Sequence, residues 1–193
     1  MSTTEPAGTR EVDGITIPAP GTFQLDSTHS SVGFVVRHLM VSKVRGHFAD
    51  FSGTITLAED PFASSVQVEV QVASITTGED QRDGHLKSAD FFDAEQFPTI
   101  TFLSSKVSDH KGDTFVLEGD LTVRGVTKPV RLDAEFSGVA QDPWGGQRIG
   151  FSAQTELDRE DFGLTWNQAL ETGGVLVGKK AKVEIEAEAV RTG

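Results

Sequence analysis

Between Thr22 and Val190 the dominant hydrophobic period is two. Such alternation puts successive side chains on opposite faces of an extended strand, so it specifies half-buried β-strands rather than helices. In "SSVQVEVQVASI" (64–75), Val66, Val68, Val70 and Val72 share one face, and Gln67, Glu69 and Gln71 share the other. "KPVRLDAEFSGVA" (128–140) groups Val130, Leu132, Ala134 and Phe136, with charges between them. "GTITLAE" (53–59), "FPTITFLSSKV" (97–107), "DTFVLEGDLTVRGV" (113–126), "QRIGFSAQTEL" (147–157) and "GKKAKVEIEAEAV" (178–190) complete the alternating set. "SVGFVVRHLM" (31–40) is apolar on both faces, with Val32, Phe34, Val36 and His38 on one of them.

Turn-forming stretches separate these runs: "EDPFAS", "DHKGD", "RGVTKP" and "QDPWGGQ". About eight long strands joined by short turns pair in sequence order, and closing such a meander removes its exposed edges. The expected fold is therefore all-β, an eight-stranded antiparallel up-and-down barrel with one or two short helices. One helix is expected over Thr77–Lys87, where Thr77 and Asp80 have capping-box spacing. A helical turn is expected to start at Asp158, whose carboxylate can cap it.

Charge and composition narrow the function. The chain of 193 residues carries a net charge of −12, which repels phosphate backbones and anionic lipid, so nucleic acid is not an expected partner. The absence of cysteine excludes disulfides, thiolate catalysis and thiolate metal sites. No stretch of about 18 apolar residues predicts a membrane span. The first residues lack the basic start and apolar run of a signal peptide, so a cytoplasmic location is expected. Residues 1–21, with Pro6, Pro18 and Pro20, read as an extended arm, and the domain proper as 22–191.

Candidate chemistry is sparse. His29, His38 and His47 recur every nine residues, but an odd spacing on strands sends successive rings to opposite faces. A metal-dependent enzyme using His29, His38 or His85 is therefore an alternative and not the leading reading. No serine sits in a G-x-S-x-G elbow, and "DFG" at 161–163 lacks every other kinase element. In "DGHLKSADFFDAEQFPTITF" (83–102), Asp90, Asp93 and Glu95 read as turn and capping groups, with Asp90 capping a turn before "FFDA". No catalytic residue, metal or cofactor is expected. A barrel of this size either fills itself or holds one slim ligand, and the inward-facing pattern leaves both open.

The stretches "LDSTHSSVGFVVRHLMVSKVRGHF" (25–48), "RDGHLKSADFFDAEQFPTITF" (82–102) and "EGDLTVRGVTKPVRL" (118–132), with "DREDFGL" (158–164), closely resemble the YceI-like family over roughly residues 22–190. The resemblance implies a lipocalin-like barrel, often dimeric, that binds long isoprenoid chains, including polyisoprenoids and quinone side chains, and is not known for catalysis. On that reading the tail is gripped by Phe34, Val36, Val68, Val70, Phe136 and Phe151. Phe91, Phe92, Phe97 and Trp166 close or line the ends, and His38 and Arg37 are candidates for the headgroup, of which at most one is interior because strand neighbours point to opposite faces. Phe48, Phe102 and Phe162 complete the expected ligand-binding set. The function expected is carriage or sequestration of a polyprenyl or quinone-type lipid by a homodimer. The other alternative is a stress-related interaction protein whose barrel is filled by its own side chains.

Overall fold

The structure, a computed structural model, describes residues 8–193. Its framework is a closed eight-stranded antiparallel barrel. Three of the eight staves are broken into two pieces. The first is β3 (Gly21–Leu25) followed by β4 (Ser31–His38). The second is β5 (Ser42–Phe48) followed by β6 (Phe51–Leu57). The third is β7 (Ser65–Gln71), then a 3₁₀ turn over Val72–Ser74, then β8 (Ile75–Thr76). The remaining five staves are β9 (Thr99–Lys111), β10 (Thr114–Val123), β11 (Val126–Gln141), β12 (Gln147–Asp158) and β13 (Val177–Arg191).

Neighbours in sequence are neighbours in the wall, as expected for an up-and-down meander. Closure comes at β13. One edge pairs with β12, from Arg148↔Val190 to Asp158↔Lys180. The other edge pairs first with β4 and then, past the kink at Asp26–Ser30, with β3. The backbone of Glu188 spans that kink: its carbonyl accepts from Asp26 N–H at 2.8 Å, and its N–H donates to Ser30 Oγ at 2.9 Å. Breaking a long stave in this way bends it around a barrel without opening the wall.

Two segments of wall are absent from the alternating runs. Gly21–Leu25 and Ser42–Phe48 are the other halves of kinked staves. A kink resets the inward–outward phase, so period two does not carry through it. Val72 departs from the face assigned to it for the same reason. It turns into the 3₁₀ segment and is 1% exposed, but it does not continue the inward row of Val66, Val68 and Val70.

The helix forms as α1 (Asp80–Lys87), yet its cap is Glu79, not Thr77. Glu79 accepts from Gln81 N–H at 3.1 Å and Arg82 N–H at 2.8 Å. Thr77 instead donates through its N–H and hydroxyl to the buried Asp83. Burial opposes ionisation of Asp83, but those two bonds together with the nearby charges of Arg82 and Lys87 outweigh it and hold the carboxyl below its ordinary value. The expected turn at Asp158 is present over Arg159–Phe162, with Asp158 accepting from Glu160 N–H at 3.0 Å.

Residues 1–7 of the expected arm lie outside the described residues. From Thr9 the chain makes a hairpin of β1 (Thr9–Val12) and β2 (Ile15–Pro18). Its turn is Asp13–Gly14, both left-handed at φ 49° and 80°, a pairing that suits a tight hairpin.

Candidate functional site

The core divides along the barrel axis. Phe23, Ile55, Ile149 and Ala189 form a plug where β3 and β12 begin and β13 ends. Phe91, Val123, Phe162 and Leu164 form a second buried cluster at the opposite end, with Leu86 of α1, Phe92 and Trp166 packed on it. Between them lies a chamber of about 450 Å³, within the usual range for ligand pockets. The barrel is thus not filled by its own side chains.

The chamber wall follows from inward alternation. β7 supplies Val66, Val68 and Val70, β11 supplies Val130, Leu132 and Ala134, and β13 supplies Ala181, Val183 and Ile185. Ala134 and Ala153 are direct partners, and Ala153 pairs onward with Ile185. The two adjacent alanines, Ala134 and Ala153, leave room toward the axis. Gly46 makes room in the same way: a Cβ there would overlap the Phe34 ring. Phe34 in turn meets Phe48 at 5.7 Å between centroids, and Phe48 meets Phe92 edge-on at 5.9 Å.

Twelve of the fourteen expected ligand-binding residues line this chamber: Phe34, Val36, His38, Phe48, Val68, Val70, Phe91, Phe92, Phe102, Phe151, Phe162 and Trp166. Phe136 and Phe97 do not. Phe136 continues the inward row of β11, but that strand is long enough to pass from the chamber into the plug, where Phe136 meets Phe151 in a tilted contact at 5.3 Å. Phe97 is turned away by left-handed Asp93, whose carbonyl accepts from the N–H groups of Gln96 and Phe97. Its ring rests against Gly125 in the β10–β11 turn instead.

The basic groups of the lining, Arg37, His38, Arg82, His85 and Arg159, all belong to elements at the α1 end. Among the described residues Asp90 caps no turn. Its Oδ2 lies 2.8 Å from His85 Nε2, and the His85 ring stands edge-on to Trp166 at 4.7 Å. Arg159 is 8% exposed. It donates to the carbonyls of Gly178, Leu164, Trp166 and Val177, so four of its five N–H groups have backbone acceptors and none has a carboxylate. Burial pulls its pKa below the ordinary guanidinium value, an effect that Glu160 and Asp158 partly offset. Sequence reasoning missed Arg159. A charged residue behind a capping aspartate reads as solvated turn, and the carbonyls that bury it come from the following twenty residues.

No cluster with ligand spacing among the described residues brings His29, His38 and His85 together. Among the described residues, the one cluster with ligand spacing is Asp26, His29 and Glu188, which excludes His38 and His85. Its centre is already cationic: Arg148 Nη1 lies 2.8 Å from Asp26 Oδ2 and 2.9 Å from Glu188 Oε1.

Fold and site together define a closed antiparallel barrel around an apolar chamber with basic groups at one end. The YceI-like domain model matches residues 23–189, and the chain belongs to that family. UPF0312 protein SAS2572 of Staphylococcus aureus is 40% identical over 168 residues, covering 86% of this chain and 95% of the relative. A YCEI protein of Campylobacter jejuni superposes with a TM-score of 0.69 at 33% identity, covering 81% of this chain and 90% of that one. A polyisoprenoid binding domain from Saccharophagus degradans has the same fold, with a TM-score of 0.68 at 16% identity over 88% of this chain and 98% of that one. Among the described residues no helix is long and apolar enough to cross a membrane.

Proposed function

We propose that this protein binds a long isoprenoid-type lipid in its chamber and carries or sequesters it without chemical change. The observation that carries the reading is the polarity of the chamber: aliphatic and aromatic walls along its length, with every basic lining group at the α1 end. Each buried CH₂ of a tail contributes about 0.8 kcal/mol, so a slim hydrocarbon gains with every unit that enters. The tail points toward Phe23 and Ile149, and the oxygen-bearing head lies near His85, Trp166 and Arg159. An acceptor oxygen, as on a quinone, phenol or alcohol, suits an end whose ionisable lining groups are all basic. The polyisoprenoid-binding neighbour supports this choice of ligand class.

The test is gentle purification followed by native mass spectrometry, solvent extraction, and titration of stripped protein with a long isoprenoid alcohol. A co-purified lipid or saturable uptake near one per chain is expected. Protein that arrives empty and takes up no isoprenoid contradicts the reading.

A further inference from the structure

Six large apolar side chains are exposed among the described residues, and three of them are consecutive: Leu39 at 39%, Met40 at 54% and Val41 at 81%. They form the tip of the β4–β5 hairpin, closed by Val41 N–H donating to His38 O at 3.2 Å. Both central residues are left-handed, Leu39 at φ 53° and Met40 at φ 64°. Asn–Gly fills such a turn with least strain, whereas bulky residues held in this conformation point to a function for the tip.

Immediately behind the tip stand Arg37 and Lys43, directly opposite each other, and then Arg45. All three are exposed, and none has an ion pair among the described residues. Like charges facing across a strand pair are unfavourable. Cations along a strand edge do guard it against wrong pairing, which accounts for Lys43 and Arg45 but not for three exposed apolar residues beyond them. An apolar tip collared by unpaired cations fits a headgroup region whose surface is anionic and whose interior is hydrocarbon. The excess of acid elsewhere does not defeat this, because charges beyond a Debye length of about 8 Å are screened.

The tip also adjoins the basic end of the chamber. Leu39 N–H donates to Leu176 O at 2.9 Å, and both Leu176 and His38 line the chamber. We propose that the β4–β5 tip, with Leu39, Met40 and Val41 inserted and Arg37, Lys43 and Arg45 at the headgroups, docks this protein on an anionic lipid bilayer. The purpose of docking rests on the lipid-chamber reading: lipid passes between bilayer and chamber without crossing bulk water. Docking itself is measured separately from uptake, so either can fail alone.

The experiment is co-sedimentation of the purified full chain with phosphatidylcholine vesicles, with and without about one-third phosphatidylglycerol, at low and high salt. Binding to the anionic vesicles, weakened roughly tenfold or more by high salt or by the K43E/R45E pair, is expected. The L39N/M40G pair relieves the turn and so keeps the fold. It should lose binding while its Tm stays level or rises, and isoprenoid uptake from detergent solution should be unchanged. Equal binding to neutral vesicles, no binding by the parent protein, or full binding by L39N/M40G overturns the proposal. So does a dimer in solution that dissociates on L39N/M40G without any vesicle binding, since the tip then belongs to a second copy.

Discussion

Asp26 at the β3–β4 kink and Arg148 at the start of β12 are joined at 2.8 Å, although 122 residues separate them. The Thr28 hydroxyl first, then Arg148 and His29, hold the Asp26 carboxyl far below the ordinary carboxylate range. The network ties together the three strands that close the barrel, because Arg148 also reaches Glu188 on β13 and Asp142 before β12.

A group whose folded pKa is depressed adds stability above its unfolded pKa of about 3.9 and loses it as pH falls toward the folded value. Asp26→Asn should therefore cost about 1–3 kcal/mol near neutrality, and the gap to the parent protein should shrink steadily below about pH 4. Thermal melts at several pH values measure this. A gap of constant size between pH 7 and pH 3 would show that the carboxylate charge is not what closes the seam.

This seam marks the limit of what period two reveals. The alternation of Val66, Val68 and Val70 or of Val130, Leu132 and Ala134 is legible because each side chain reports its own face. The chamber wall follows from those residues directly. The kinks at Asp26–Ser30 and Val72–Ser74 and the plug position of Phe136 depend on partners far along the chain, and the burial of Arg159 depends on how the next twenty residues fold back over it. Local pattern carries no trace of such partners. The lid lies between these cases. "DFFDA" reads as a cover, and Phe91 and Phe92 do cover the chamber, but Phe97 leaves it through a left-handed turn at an aspartate.

Phe91 and Phe92 should separate fold from ligand retention. Phe91 is 5% exposed and packs against Trp166 at 5.3 Å within the buried lid cluster. Phe91→Ala should cost about 3–5 kcal/mol. Phe92 is only half-buried and meets Phe48 edge-on above the chamber. Phe92→Ala should cost less than half as much and should speed release of a preloaded isoprenoid. Calorimetry and a lipid-release assay on both variants check the ordering. If Phe92→Ala retains lipid as the parent does, Phe92 is not part of the closure.

Filling the chamber should abolish uptake without unfolding the barrel. Ala153 faces Ala134 on one side and Ile185 on the other, and Ala153, Ala134 and Ile185 all line the chamber. Ala153→Phe projects a ring across the axis into space that the parent protein leaves open, so the strain of overpacking, about 1–3 kcal/mol in a filled core, should be small here. A Tm within a few degrees of the parent, together with at least tenfold weaker isoprenoid binding, is the expected result. Unchanged binding would place the ligand outside this chamber.

Arg159 should act as a structural anchor for the lid. Its guanidinium collects the carbonyls of Leu164, Trp166, Val177 and Gly178, and so pins the return from the 3₁₀ turn to the start of β13. Arg159→Met keeps much of the volume but takes their donor from the carbonyls of Leu164, Trp166 and Gly178, while Val177 O keeps the Asn167 amide at 2.8 Å, and each carbonyl left buried costs about 1–3 kcal/mol. Several together should lower Tm by roughly 10 °C in a protein of this size. Arg159→Lys restores the charge but not the planar fork, so it should recover only part of the loss. Trp166 provides a local readout, since Trp144, the other tryptophan, is 87% exposed. In a Trp144→Phe background, Arg159→Met should shift the Trp166 emission to the red as the lid loosens. An unchanged Tm together with an unchanged emission would mean that the carbonyl cage holds itself in place without the arginine.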